Sequence, residues 1–496
     1  MTRTKIIGLF LGPLLFIYFF FIFKSEGLPK EAQATLACAA WIAVWWTTEV
    51  IPIAATALLP IILFPLTGAL SLEETTSSYG HKYVFLFVGG FIIAIAIEKW
   101  KLHRRIALNI INIIGTSVNR IILGFMIATD FLSMWISNTA TTVMMLPIAM
   151  AIVTQLKDNP ATKANETKIF GKALMLAIAY AASIGGIATL IGTPPNLVLA
   201  GVLEESYGVE ISFIQWMKYG VPISILLLFI CWFYLTRYAF AGKEDLKMPK
   251  SFPGGRNEVK RLLLELGKIS REEKIVLLVF SLTAFFWMFR SYLLKPFLPQ
   301  IDDTIIAIFF ALTLFLVPAK SDKKGKLLNW EEAVKLPWGI LLLYGGGLAL
   351  ASGFSQTGLA LWIGEQLTSI QHISLLLLIL ILVASVNFLT EITSNLATTA
   401  MLLPVIVPVA LIFDAHPYIL MVGVTVSASC AFMLPVATPP NAIVFGSNYL
   451  RIPDMVRTGV WLNLISILII TILTYYALPL IWDFIPDEFP INFKKI

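Results

Sequence analysis

The sequence predicts an all-α polytopic membrane protein with about eleven transmembrane helices and two re-entrant hairpins, arranged as an inverted repeat. Three observations carry that prediction. The 496-residue chain is 58% hydrophobic and 13% charged, with mean hydropathy +0.84, whereas a soluble domain carries about a quarter charged residues. Short polar motifs buried in apolar sequence occur twice, and the basic residues gather in alternate loops.

Apolar runs of roughly 20 residues, enough to cross a bilayer, fall at about 6–23, 33–48, 50–66, 83–99, 171–200, 216–236, 274–294, 302–318, 338–355, 417–447 and 459–481. Met1 to Phe23 could be mistaken for a signal peptide, but no small-residue cleavage pattern follows it, so it reads as the first span. Cys38, Cys231 and Cys430 lie inside spans without metal-ligand spacing. They suggest neither a disulfide framework nor a zinc site.

The organising motif is SNTATTVMMLP at residues 137–147, rewritten as SNLATTAMLLP at 394–404, with eight of eleven positions identical at an offset of 257. Downstream of each copy lies a second pair, Gly192-Thr193-Pro194-Pro195-Asn196 and Ala437-Thr438-Pro439-Pro440-Asn441, 245 residues apart. The segments holding the first motif, about 121–154 and 373–412, have polar centres and read as re-entrant hairpins. Irregular backbone at membrane depth survives only where it is packed in protein or faces a watery cavity. Two ordinary helices using Ser, Thr and Asn for interhelical bonds are the plainer alternative. The spans at 171–200 and 417–447 are interrupted by Pro-Pro, which breaks a helix and frees backbone groups within the membrane.

Charge supports the hairpins. With the N-terminus inside and the SN segments not crossing, 28 of the 36 Lys and Arg fall on inner segments, as the positive-inside bias requires. The C-terminus then lies outside. The net charge of +6 is accounted for by topology and implies no nucleic-acid partner.

In chain order, residues 1–32 read as an N-terminal span, 33–240 as the first repeat, 241–273 as a cytoplasmic linker and 274–496 as the second repeat. The stretch WWTTEVIP at 45–52 breaks the chain between two spans. Its Glu49 reads as a cap at the bilayer surface, with a functional role as the alternative, since an ionisable residue near the membrane is costly. Gly89-Gly90 permits close helix contact. Residues 100–120 read as an amphipathic helix along the inner surface, either a static anchor or an arm of something that moves. Lys157 to Lys168 reads as a polar inner loop whose sequon Asn165-Glu166-Thr167 is inert on that side. The second half repeats the order: Glu331-Glu332 and Gly345-Gly346-Gly347 echo Glu73-Glu74 and Gly89-Gly90, and 356–372 mirrors the surface helix. An odd number of crossings separates the copies, so they enter from opposite faces.

Asn amides, hydroxyls and turn carbonyls offer neutral hard oxygens suited to a small hard cation, and helix N-termini suit carboxylates. The four motifs hold no Arg or Lys. A bound anion is therefore balanced by helix dipoles together with co-bound cations, or by the dipoles alone. No enzyme constellation is visible: His81, His103, His372 and His416 are scattered, and Asp130 and Glu391 do not occupy equivalent repeat positions. Those carboxylates are proton carriers or, more simply, partners for helix ends.

The segment SASCAFMLPVATPPNAIV at 427–444, with WWTTEVIP, SMWISNTATT and the paired TPPN motifs, resembles the divalent anion/sodium symporter family of di- and tricarboxylate transporters over nearly the whole chain. The resemblance implies an integral protein of the plasma or bacterial inner membrane. It also implies a homodimer whose protomers have a scaffold and a transport domain of elevator type. Co-transported sodium is expected and no organic cofactor. One sodium is then held by Ser133, Ser137, Asn138 and Gly192, and a second by Thr390, Thr393, Asn395 and Ala437. Substrate contacts fall to Asn138, Thr139, Asn395, Thr438 and Pro439, with Thr193 nearby. Leu396 departs from the Thr that many members carry there, removing a hydroxyl and reshaping the pocket. The expected activity is sodium-coupled symport of C4 dicarboxylates. A sodium-independent dicarboxylate or 2-oxoglutarate exchanger, a citrate transporter and an anion channel are the alternatives, and an enzyme is not expected.

Overall fold

The computed structural model describes residues 2–115, 117–157, 164–240, 255–320, 325–366 and 373–493. Among them every regular element is a helix, apart from one isolated bridge between Pro318 and Lys326. Among the described residues nine helices are long and apolar enough to cross a membrane, and four shorter apolar ones accompany them, including Asp303–Leu316, Leu375–Leu389 and Pro417–Ala428. The nine include the second arm of each predicted hairpin, Asn138–Lys157 and Asn395–Ile412.

Helix Arg3–Ile17 runs into a wider π-helical turn, Tyr18–Ile22, and lies on Lys30–Thr48, where Gly8 and Gly12 leave room for Thr48, Trp41 and Trp45. Its last carbonyls lack helical partners, and Gln33 Nε2 supplies them, donating to Phe19, Phe20 and Phe23 at 2.8, 3.2 and 2.7 Å. The span expected at 50–66 is two helices, Ile53–Thr56 and Leu59–Thr67. Pro52 starts the first, and the chain turns at Ala57 and Leu58 before Pro60 starts the second. The repeated acidic pairs are explained as helix starts. Ser71 with Glu74 and Asn329 with Glu332 each form a capping box.

Both SN segments are helix–turn–helix units. The first joins Val118–Ser133 to Asn138–Lys157, and the second joins Leu375–Leu389 to Asn395–Ile412. The first begins earlier than expected because the amphipathic helix is shorter, Leu102–Ile114, and ends where Gly115 takes a φ of 114°. Both Pro-Pro spans are broken. Ala164–Gly186 is followed by Pro194–Tyr207, and Pro417–Ala428 by Pro439–Phe445. Helix Ala164–Gly186 takes in residues 164–168, so the predicted loop is shorter and the sequon lies in the first helical turn. Ala, Glu and Lys there are strong helix formers. Residues 158–163 of that loop, 241–254 of the linker and 367–372 of the second surface segment, including His372, lie outside the described residues.

The duplication persists in the hydrogen bonds. Ser133 Oγ lies 2.7 Å from both Asn138 Oδ1 and the Ala182 carbonyl oxygen, and Thr390 Oγ1 lies 2.6 Å from Asn395 Oδ1 and 3.1 Å from the Ala428 carbonyl. Thr142 and Thr399 each donate to the carbonyl of their motif Asn at 2.8 Å. Asn196 Nδ2 donates to the Gly186 and Thr189 carbonyls, and Asn441 Nδ2 to those of Ala431 and Leu434, the same pair 245 residues on. Those amides brace the breaks by donating to carbonyls at or just beyond the end of each first half-helix and in the unwound turn that follows it.

Candidate functional site

Four helix N-termini converge on one cavity of about 600 Å³. Asn138 and Asn395 open the second arms of the two hairpins, and Thr193 and Thr438 cap the helices that follow the two breaks. Each end carries a partial positive charge, although at the two Pro-Pro ends the first two residues have no N–H and the third is bonded, Asn196 N–H to the Thr193 carbonyl and Asn441 N–H to Thr438 Oγ1. Proline at the first position of Pro194–Tyr207 and Pro439–Phe445 removes a donor that a helix start does not need.

Of the expected substrate contacts, Asn138, Thr139, Thr193, Asn395, Leu396, Thr438 and Pro439 all line this cavity. So do Ser137, Gly192, Thr393 and Ala437 from the expected cation sets. Ser133 and Thr390 do not. Both are fully buried behind it, against the amides of Asn138 and Asn395. The two halves of the sequence thus line one cavity.

The oxygens around Asn138 test whether a cation fits. With Nδ2 turned inward, its amide donates to Ser133 Oγ, the Ala182 carbonyl and the Gly192 carbonyl at 2.7, 3.1 and 3.2 Å. With Oδ1 turned inward, four oxygens face one another, and a hard cation relieves their repulsion. The donor set suits sodium: neutral oxygens only, no sulfur and no imidazole. Asn138 is seated over Gly186, where a Cβ would come 2.7 Å from Oδ1. Among the described residues, buried oxygens without protein partners lie in both halves: Asn196 and Asn441 Oδ1, which are equivalent at the 245-residue offset, and Ser183 and Ser429 Oγ.

The rest of the wall includes residues outside the duplicated motifs: Glu49, Ile53 and Ala54, Phe87 and Phe91, and Pro337, Gly339, Ile340 and Leu343. Sequence reasoning missed the two phenylalanines and the 337–343 segment, which carry no polar signal. Glu49, read first as a cap, does end helix Lys30–Thr48 as its C-cap residue and also lines the cavity. The break in WWTTEVIP was the available clue.

Asp130 and Glu391 do not line the cavity and serve the framework. Asp130 Oδ1 accepts from Ser224 at 2.8 Å. Glu391 accepts from the backbone N–H groups of Phe432, Met433 and Leu434 at 2.8, 2.9 and 2.9 Å and from Asn463 Nδ2 at 2.7 Å, bracing the second break. Among the described residues no group of three or more His, Cys, Asp or Glu forms a metal cluster.

A helical membrane protein whose two halves close four half-helix ends around one cavity belongs to the class of transport proteins. The match to the family described as the sodium:sulfate symporter transmembrane region spans residues 3–482, and the chain belongs to that family, the divalent anion/sodium symporters. The sodium-dependent dicarboxylate transporter SdcS of Staphylococcus saprophyticus is 49% identical over 480 residues, 96% of this chain and 92% of that protein. Its namesake in Staphylococcus aureus strain USA300 is 48% identical over 485 residues, covering 97% and 92%. Among solved structures, Neisseria gonorrhoeae MtrF superposes with TM-score 0.57 at 10% identity over 93% of this chain and 97% of that one. The Alcanivorax borkumensis YdaH transporter does so with TM-score 0.57 at 12% identity over 90% and 99%. At such identities the likeness concerns the fold alone.

Proposed function

We propose that this protein is a secondary transporter that carries a C4 dicarboxylate, such as succinate, malate or fumarate, together with sodium across the cell membrane. The observation that carries the reading is the single cavity in which both Asn motifs and both Thr-Pro-Pro caps meet. Neutral oxygens gather on its motif side, and Lys and Arg are absent from its described lining. A dianion there needs positive charge. Helix ends supply part of it, and sodium ions held by Ser133, Ser137, Asn138 and Gly192, and by Thr390, Thr393, Asn395 and Ala437, supply the rest. The names of the SdcS relatives agree with that pairing of ion and acid.

On this reading the hairpins and broken helices form a transport domain that moves against a scaffold, in the elevator manner and within a homodimer. The 33–240 and 274–496 repeats insert in opposite senses. The non-motif wall of the cavity includes Glu49 and Pro337, at helix ends that the basic-residue distribution assigns to the cytoplasmic face, which supports an inward-facing conformation. Leu396 places an apolar side chain where a hydroxyl would favour a more oxygenated acid, which supports a C4 dicarboxylate over citrate.

Uptake of labelled succinate into proteoliposomes tests the function. A sodium gradient should drive accumulation, and choline in its place should not. Equal uptake in both rejects coupling, and uptake only into vesicles preloaded with dicarboxylate identifies an exchanger.

A further inference from the structure

The wall of an anion's cavity carries one charge, and it is negative. Among the described residues lining the cavity, Glu49 is the single ionisable side chain. It is exposed, and no hydrogen bond or ion pair of its carboxylate is found among the described residues. The backbone fixes its place. Helix Lys30–Thr48 ends on Glu49 in the left-handed conformation, φ 47° and ψ 47°, which residues with a Cβ adopt uncommonly. The flanks are anchored: Val50 is buried, Trp46 Nε1 donates to the Ile53 carbonyl at 3.2 Å, and Pro52 caps the next helix.

A carboxylate carried on this held backbone acts oppositely on the two partners of this site. Low-dielectric walls focus its field into the cavity, raising the local concentration of cations and lowering that of dianions. Once sodium is bound at the hairpin tips, the repulsion of the dianion is offset. Glu49 belongs to neither duplicated motif, so on the elevator reading it stays with the scaffold and faces the site in this conformation.

We infer that Glu49 makes anion binding conditional on cation binding: it recruits sodium to the cavity and repels the dicarboxylate until sodium is in place. The inference rests on the sodium–dicarboxylate reading above. Its signature is that removing the charge moves the two apparent affinities in opposite directions, whereas a structural role weakens both together.

The test uses full-length protein in proteoliposomes at ionic strength held constant with choline. Glu49→Gln should raise the sodium concentration for half-maximal succinate uptake about threefold to tenfold, and lower the KM for succinate at saturating sodium by a similar factor. Glu49→Asp, which keeps the charge, should stay within about twofold of the wild type in both. A check without any variant raises choline chloride from about 0.1 M to about 1 M, shortening the Debye length from about 10 Å to about 3 Å. The wild-type constants should then move in the same two directions. Joint weakening in Glu49→Gln, or no movement, overturns the inference while leaving sodium coupling intact. Wild-type uptake that ignores sodium overturns the parent reading and this inference with it.

Discussion

The two broken helices occupy equivalent places in the repeat, yet they are opened by different means. In the first, the helix continues through Gly186, and the next amides remain within a tightening turn, Ile187 N–H to the Ile184 carbonyl and Ala188 N–H to that of Gly185, both at 3.1 Å. In the second, the helix stops at Ala428, three residues earlier by the 245-residue offset. It ends in the same kind of turn, Ser429 N–H to the Val426 carbonyl and Cys430 N–H to that of Ser427 at 3.1 and 3.0 Å, so the positions matching Ile187 and Ala188 lie beyond it. The amides of Phe432, Met433 and Leu434 turn instead to the Glu391 carboxylate. The position equivalent to Glu391 in the first half is Met134. Duplication has thus kept the asparagines and the Thr-Pro-Pro caps that face the cavity and let each half satisfy its unwound backbone separately. Buried amide groups require partners, and one carboxylate with several acceptor positions can serve three of them.

The largest test of this comparison is at the shared atoms. Asn138→Ala and Asn395→Ala should each cut sodium-driven succinate uptake at least about 100-fold, with size-exclusion behaviour unchanged. Near-normal uptake by either variant would move the site elsewhere. The next test addresses the unshared brace. Glu391→Ala leaves buried N–H groups without an acceptor and should destabilise the protein by about 3 kcal/mol, read as a lowered thermal midpoint in detergent. Met134→Ala should cost less than Glu391→Ala, and equal costs would show that the second break does not depend on its carboxylate.

Gly186→Ala sharpens the comparison from the cation side. Its Cβ would press on the Asn138 amide at 2.7 Å, whereas Gly90→Ala meets Ile191 at a comfortable 3.6 Å. Gly186→Ala should raise the sodium requirement about tenfold, or about 1.4 kcal/mol, and Gly90→Ala should leave it unchanged; a sodium titration of uptake separates them. Leu396→Thr should have the smallest effect, a shift of about threefold in the succinate-to-malate preference at constant sodium requirement. A competition assay with both acids reads it, and an unchanged ratio would show that Leu396 does not influence substrate choice.

Much of the site was legible because its residues are polar where the surroundings are apolar. A Ser-Asn-x-Ala-Thr-Thr motif in a hydrophobic segment has few bland explanations, and its recurrence pointed to both hairpins and both breaks. The wall of Phe87, Phe91 and Leu343 was not legible, because an apolar residue lining a cavity looks the same in sequence as one facing lipid. The division of 50–66 into two helices was hidden for a related reason: hydropathy reports that a run is apolar and says nothing of a turn within it. The paired role of Glu391 depended on Asn463 and on amides about forty residues away, a relation that no local spacing encodes.

The central claim is that both halves contribute to a single site for cation and dianion. An experimental structure determined in sodium and succinate tests it most directly. Density for the acid in the cavity between Asn138 and Asn395, with sodium coordinated by the oxygens behind them, is the result this account predicts. Succinate bound at any other place, with that cavity unchanged between sodium and choline, would contradict it.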